Sequence, residues 1–176
     1  MIKKALLIVS FGVALKESRE KTLNLYARDV KTNFLTYDVF TAYLSHRMIE
    51  KIKRREDVMI EDPIKALANL SQIGYDEVWV QSLGLIYGET FQRLETDIYT
   101  YQDKFKKIGF IHPMLHESSD YGQIAKLITQ DIVLNKKKEA LVFVGHGTHG
   151  SGQAFYLQLS ESLEKLDANT NQLLKS

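Results

Sequence analysis

The sequence predicts an α/β fold built on a parallel sheet with helices on both faces. Short apolar runs, residues 5–10 (ALLIVS) and 140–144 (ALVFV), each pass directly into glycine-containing turns, as strands buried on both faces do. Amphipathic stretches with 3.6-residue apolar spacing separate the strand-like runs. The two kinds of segment alternate along the chain, which calls for parallel strands joined by helical crossovers.

Residues 5–10 make the first strand, broken by Phe11-Gly12. Residues 16 to 31 read as one helix, with Leu23, Tyr26, Ala27 and Val30 on one side and charges on the other. Residues 36–40 (TYDVF) are β-branched and aromatic and make a second strand. Residues 44–55 return to helix, with Met48, Ile49 and Ile52 on one face. A helix over 64–73 follows Pro63, whose missing N–H costs nothing in a first turn; Asp62 is its cap and Gly74 its stop. Residues 77–83 (EVWVQSL) are the third strand, 91–107 a long aromatic-rich helix, 108–114 a short fourth strand and 120–134 another helix. After a charged connector, 135–139, come the strand 141–144, a helix over 151–166 and a polar, frayed end at 167–176.

Composition narrows the function. The 176 residues are enough for one domain or slightly more. Their net charge of +1 supplies no global field for nucleic acid. With no cysteine, disulfides and thiolate metal sites are excluded, so any metal is held by histidine, carboxylate or water. No apolar run approaches the roughly 20 residues of a membrane span. The first apolar run is too short for a signal-peptide core, so the expectation is a cytoplasmic protein without a membrane partner.

Ligands of open α/β sheets bind at the carboxyl ends of the strands. Five such ends present Ser10-Phe11-Gly12, Ala42-Tyr43, Gln81-Ser82-Leu83-Gly84, His112 and Gly145-His146-Gly147-Thr148-His149. His146 is the foremost candidate, because neutral imidazole both ligates metals and accepts protons. The alternative is a tight turn with His146 hydrogen-bonded inside it, and His149 can equally face solvent. Glu89 reads either as a carboxylate in the cleft or as a first-turn acid favoured by the helix dipole. Arg19 and Arg93 read as partners for substrate carboxylates or as parts of a solvated face. His46, His112 and His116 read as structural or surface residues.

These residues carry a resemblance to the anaerobic cobalt chelatases of the sirohydrochlorin type, the CbiK family. It rests on Ser10-Phe11-Gly12, residues 19–22, 42–52 (AYLSHRMIEKI), 62–70 (DPIKALANL), 74–83 (GYDEVWVQSL), Gly88-Glu89, Asp120-Tyr121 and Gly145-His146-Gly147-Thr148. The resemblance implies a ferrochelatase-like fold of two α/β halves facing across a cleft, with residues 1–135 as the first half and 136–176 as the start of a second. It implies insertion of Co²⁺ into a sirohydrochlorin with release of two protons, His146 being metal ligand or proton acceptor. Ni²⁺ and Fe²⁺ suit the same donors. Ser10, Phe11, Gly12, Gly84, Glu89 and Gly145 are the expected substrate-binding positions. Two departures stand out. The family is longer than this chain and keeps further metal ligands in its later part, so the resemblance allows a homo-oligomer that completes the cleft. The family also commonly has histidine where Gly84 stands and threonine where Val13 stands. The alternatives are a non-catalytic tetrapyrrole or metal binder, an inactive shortened homologue and a structural subunit.

Overall fold

The structure, a computed structural model, describes residues 2–133, 138–145, 147, 152–166 and 170–174. Its elements are β1 (Lys4–Ser10), α1 (Lys16–Lys21), α2 (Leu23–Asn33), β2 (Asp38–Tyr43), α3 (His46–Glu56), α4 (Pro63–Ile73), β3 (Glu77–Ser82), α5 (Glu89–Tyr99), β4 (Lys107–Ile111), α6 (Ser118–Thr129), β5 (Leu141–Gly145), α7 (Gln153–Leu166) and β6 (Thr170–Leu174). The chain divides into two compact units, Met1–Leu83 with Arg93–Ile111, and Gly84–Gln92 with His112–Ser176. The expected division after residue 135 lies inside the second unit.

In the first unit a parallel four-stranded sheet runs in the order β2-β1-β3-β4. The register puts Ala5, Leu7, Val9, Val78, Val80 and Phe110 on one face, and all six are buried. α4 packs against β1 and β2. Just beyond it Tyr75 stands edge-on to Phe40, with ring centroids 5.5 Å apart, and its hydroxyl donates to Asp38 at 2.7 Å. Burial, then that carboxylate, pushes the Tyr75 hydroxyl up to about 12. The other face carries Leu6 and Ile8, which meet Val30 of α2.

Local chemistry explains the element ends. The Asp62 carboxylate accepts the N–H groups of Ile64 and Lys65 at 3.1 and 3.0 Å, and Gly74 stops α4 at φ 85°. Ser45 caps α3. The helix expected over 16–31 is two helices, broken at Thr22, whose hydroxyl donates back to the Ser18 carbonyl at 2.7 Å. The helix expected over 91–107 begins at Glu89 and ends at Tyr99. Thr100 and Tyr101 donate to carbonyls three residues back, tightening the chain into a 3₁₀ turn at Gln102–Lys104 before β4.

The second unit has its own core of Leu115, Tyr121, Ile124, Ala125, Leu159 and Leu163, where α6 packs on α7. The end expected to fray instead supplies β6, parallel to β5 with Leu141 opposite Thr170. β5 lies outside the four-stranded sheet, so a neighbouring strand is what satisfies its backbone groups. Four strand ends, not five, therefore share one sheet edge.

Candidate functional site

Within the first unit, the carboxyl ends of β1, β2 and β3 are laced together by backbone. Leu44 N–H donates to the Ser10 carbonyl at 2.8 Å, Ser45 N–H to Phe11 at 3.3 Å and Leu83 N–H to Val9 at 2.7 Å. Ser82 Oγ donates to the Ile111 carbonyl at 2.9 Å. The Ser10 side chain is buried, whereas Phe11 is 54% exposed at the strand end. Gly12 has φ 99°, and a Cβ there would lie 2.5 Å from the Tyr43 ring. Only glycine fits where the chain leaves β1 over that ring.

Arg19 is not a free cation for substrate. It is 5% exposed, ion-paired with Glu56, and donates to the Val13 carbonyl at 3.3 Å. Tyr43 lies in the same electrostatic neighbourhood. Burial pushes its hydroxyl up, with Arg19 opposing and Glu56 adding to the shift. The sequence leaves Arg19 open between a partner for substrate carboxylates and part of a solvated face. Its burial comes from Glu56, 37 residues away, which no local pattern reveals.

The second unit brings together Gly84, Tyr87, His112 and His116 from one short stretch and the segment paired with it. Met114 N–H donates to the Gly84 carbonyl at 3.2 Å, Leu115 N–H to Leu85 at 2.8 Å, and Ile86 bridges Leu115 in parallel fashion. The His112 and His116 rings stack 3.8 Å apart at 3°, and Tyr87 stands edge-on to both, at 5.1 and 4.8 Å. His116 Nε2 lies 3.6 Å from the Glu117 carboxylate. His116 Nδ1 is buried with no hydrogen-bond partner among the described residues. Imidazole lone pairs lie in the ring plane, so two parallel rings cannot share one ion in this arrangement. Accordingly, no group of three or more potential ligands able to hold a metal occurs among the described residues. Sequence reading treats these two histidines as separate structural residues, and only the bridge between distant segments reveals the pair.

Gly84 is explained by its neighbour. A Cβ there would lie 2.3 Å from the Phe91 ring, so that ring fills the space a side chain would need. Glu89 is exposed as the first residue of α5, the first-turn arrangement favoured by the helix dipole. Arg93 is exposed on the same helix. At the end of β5, a Cβ on Gly145 would lie 2.6 Å from the Tyr156 ring, and Gly147 has φ 76°. His146, Thr148 and His149 lie outside the described residues.

With this geometry in place, comparison with known proteins is direct. The model of the family described as Cobalt chelatase (CbiK) matches residues 4–173. The chain belongs to this cobalt chelatase family. The sirohydrochlorin cobaltochelatase of Salmonella typhimurium is 30% identical over 162 residues, covering 92% of this chain and 61% of that protein. The sirohydrochlorin cobaltochelatase CbiKC of Nitratidesulfovibrio vulgaris is 28% identical over 177 residues, covering 97% and 61%. The chain thus spans about three fifths of the length of these curated relatives. The cobalt complex of the sirohydrochlorin chelatase SirB from Bacillus subtilis subspecies spizizenii superposes with a TM-score of 0.66 at 11% identity, over 98% of this chain and 67% of that one. That likeness is one of fold. Among the described residues no helix is long and apolar enough to cross a membrane.

Proposed function

We propose that this chain carries the metal-inserting chemistry of a sirohydrochlorin cobaltochelatase, exchanging the two pyrrole protons of a sirohydrochlorin for Co²⁺. The observation that carries the reading is the family match over residues 4–173, which includes Gly145, the last residue of β5, and the His146-Gly147-Thr148 that follows it in sequence. His146 is the residue assigned to the metal. Neutral imidazole ligates a borderline divalent cation and, when free, accepts a proton leaving a pyrrole nitrogen. Insertion releases two protons per metal, so the reaction is faster where imidazole is neutral and slower in acid.

The remaining positions have narrower roles. Phe11 offers an exposed ring for the flat face of the macrocycle. Ser10, Gly12, Gly84 and Gly145 shape the strand ends. Glu89, an exposed carboxylate, raises the local concentration of the cation. Cobalt is the metal named for the family, and the same donors accept Ni²⁺ and Fe²⁺.

The test is anaerobic spectrophotometry of the purified chain with sirohydrochlorin and Co²⁺, beside His146→Ala. The expected result is protein-dependent growth of the cobalt-sirohydrochlorin spectrum, lost in the variant. Insertion at the uncatalysed rate by folded protein, or an unchanged rate in His146→Ala, refutes the assignment.

A further inference from the structure

Arg19 is a buried cation that the chemistry proposed for His146 leaves unused. It belongs to α1, a helix of six residues whose N-cap, Leu15, makes no side-chain hydrogen bond. So short a helix does not hold itself in water. The exposed Lys21–Glu17 pair on its surface adds little. Arg19 is the one residue of α1 that is buried.

The two ends of its guanidinium have different partners. Nη2 is ion-paired with the Glu56 carboxylate at the end of α3, and Nη1 donates to the Val13 carbonyl at 3.3 Å. Val13 lies in the short connection from β1 to α1, two residues beyond Phe11. The same connection is held from its other side. Ser45, the cap of α3, donates its N–H to the Phe11 carbonyl at 3.3 Å, and Gly12 is seated on the Tyr43 ring. Tyr43 is buried and lies in the field of both Arg19 and Glu56. α3 thus grips the exit of β1 from both of its ends, by backbone at Ser45 and through Arg19 at Glu56. Within this frame the Phe11 ring stands 54% exposed. An exposed ring adds most to affinity when its backbone is ordered before the ligand arrives, because less ordering is then left to binding.

We propose that Arg19 is a positioning residue: its bond to the Val13 carbonyl holds residues 11–13 in place, so that Phe11 is preorganised to meet a flat conjugated macrocycle. The consequence for the macrocycle rests on the function proposed above; the tie between Arg19 and the connection does not. Arginine is required, because its planar fork serves a carboxylate and a carbonyl together, whereas a lysine ammonium is a point charge on a flexible stem. Arg19→Lys therefore keeps a cation for Glu56 and loses the bond to Val13.

Two variants of the full chain test this: Arg19→Lys, and Arg19→Met combined with Glu56→Leu, which removes both charges and leaves neither buried alone. The first readout is hydrogen exchange by mass spectrometry over residues 11–21. The expected result is severalfold faster exchange there in both variants, with residues 63–73 of α4 unchanged. The second is anaerobic Co²⁺ insertion over a range of sirohydrochlorin concentrations. KM for the macrocycle is expected to rise severalfold with kcat near that of the parent, the mark of binding lost equally from ground and transition states. Phe11→Ala raises KM as well, and adding it to either variant raises KM little further, because both changes act through one ring. Loss of kcat with KM unchanged means that Arg19 only supports folding, and overturns the proposal. So do parental exchange rates over residues 11–21 in both variants, or effects of Phe11→Ala and Arg19→Lys on KM that multiply. A parent chain that inserts no metal refutes the proposed function instead, and the exchange rates alone then uphold or overturn the tie.

Discussion

Gly84 shows how a single position changes what a pocket holds. The resemblance calls for histidine there, yet Phe91 occupies the space, 2.3 Å from any Cβ. Gly84→His therefore forces the ring of Phe91 away and is expected to destabilise the protein by about 1–3 kcal/mol, the usual cost of overpacking. Thermal unfolding measures this, and in a Phe91→Ala background, itself destabilised by loss of a buried ring, the same Gly84→His change should cost less. Gly84→His alone with an unchanged melting temperature shows that the site is loose. Arg19 is a second case. Arg19→Met leaves the Glu56 carboxylate without its guanidinium in a largely buried place. Breaking such a pair costs about 3–5 kcal/mol when the lone charge stays buried, and less where water reaches it. Glu56 keeps 17% of its side chain exposed, so the lower end is expected, read from urea unfolding midpoints. Adding Glu56→Leu to Arg19→Met should recover stability, because the cost lies in the abandoned charge.

Helices with strong end signals are legible in the sequence, and helices ended by their surroundings are not. α4 matches its expected range to within a residue because Pro63, Asp62 and Gly74 all act locally. Asp62→Ala removes the acceptor for two N–H groups and should cost about 1 kcal/mol. A loss well below that, in denaturant titration, means water replaces the cap as acceptor. By contrast, 91–107 has helical periodicity throughout, yet β4 claims its last residue. Lys107 N–H donates to the Asp76 carbonyl at 3.1 Å, a partner across the sheet that no window of sequence contains. β6 is missed for the same reason, since its pairing with β5 is tertiary.

At the scale of the molecule, strict alternation of apolar runs and amphipathic stretches is enough to give the parallel sheet, while strand order and the separate β5-β6 pair depend on contacts far apart in sequence. The candidate site divides the same way: Gly12 and Glu89 stand at the turn and helix start that local pattern expects, but the His112–His116 stack needs a bridge between two segments. Glu77 has a comparable long-range role, with consequences for the whole protein in acid. Its carboxyl is held below the ordinary value of 4.5, first by the Trp79 N–H, then by the Tyr37 hydroxyl, with burial pulling the other way. As pH falls, the unfolded chain takes up this proton before the folded one does. Glu77 thus contributes its full stability above 4.5, and that contribution is lost as pH drops through the lowered folded value. Glu77→Gln should lower stability at neutral pH and reduce the further loss between pH 7 and about pH 3, measured by urea midpoints from far-ultraviolet circular dichroism. Some acid dependence persists in the variant, because Asp76 is also held low, chiefly by its hydrogen bond from Lys106. Equal acid losses in both proteins show that Glu77 takes up its proton alike in the folded and unfolded chain, and that its bonds to Trp79 and Tyr37 add nothing to folding.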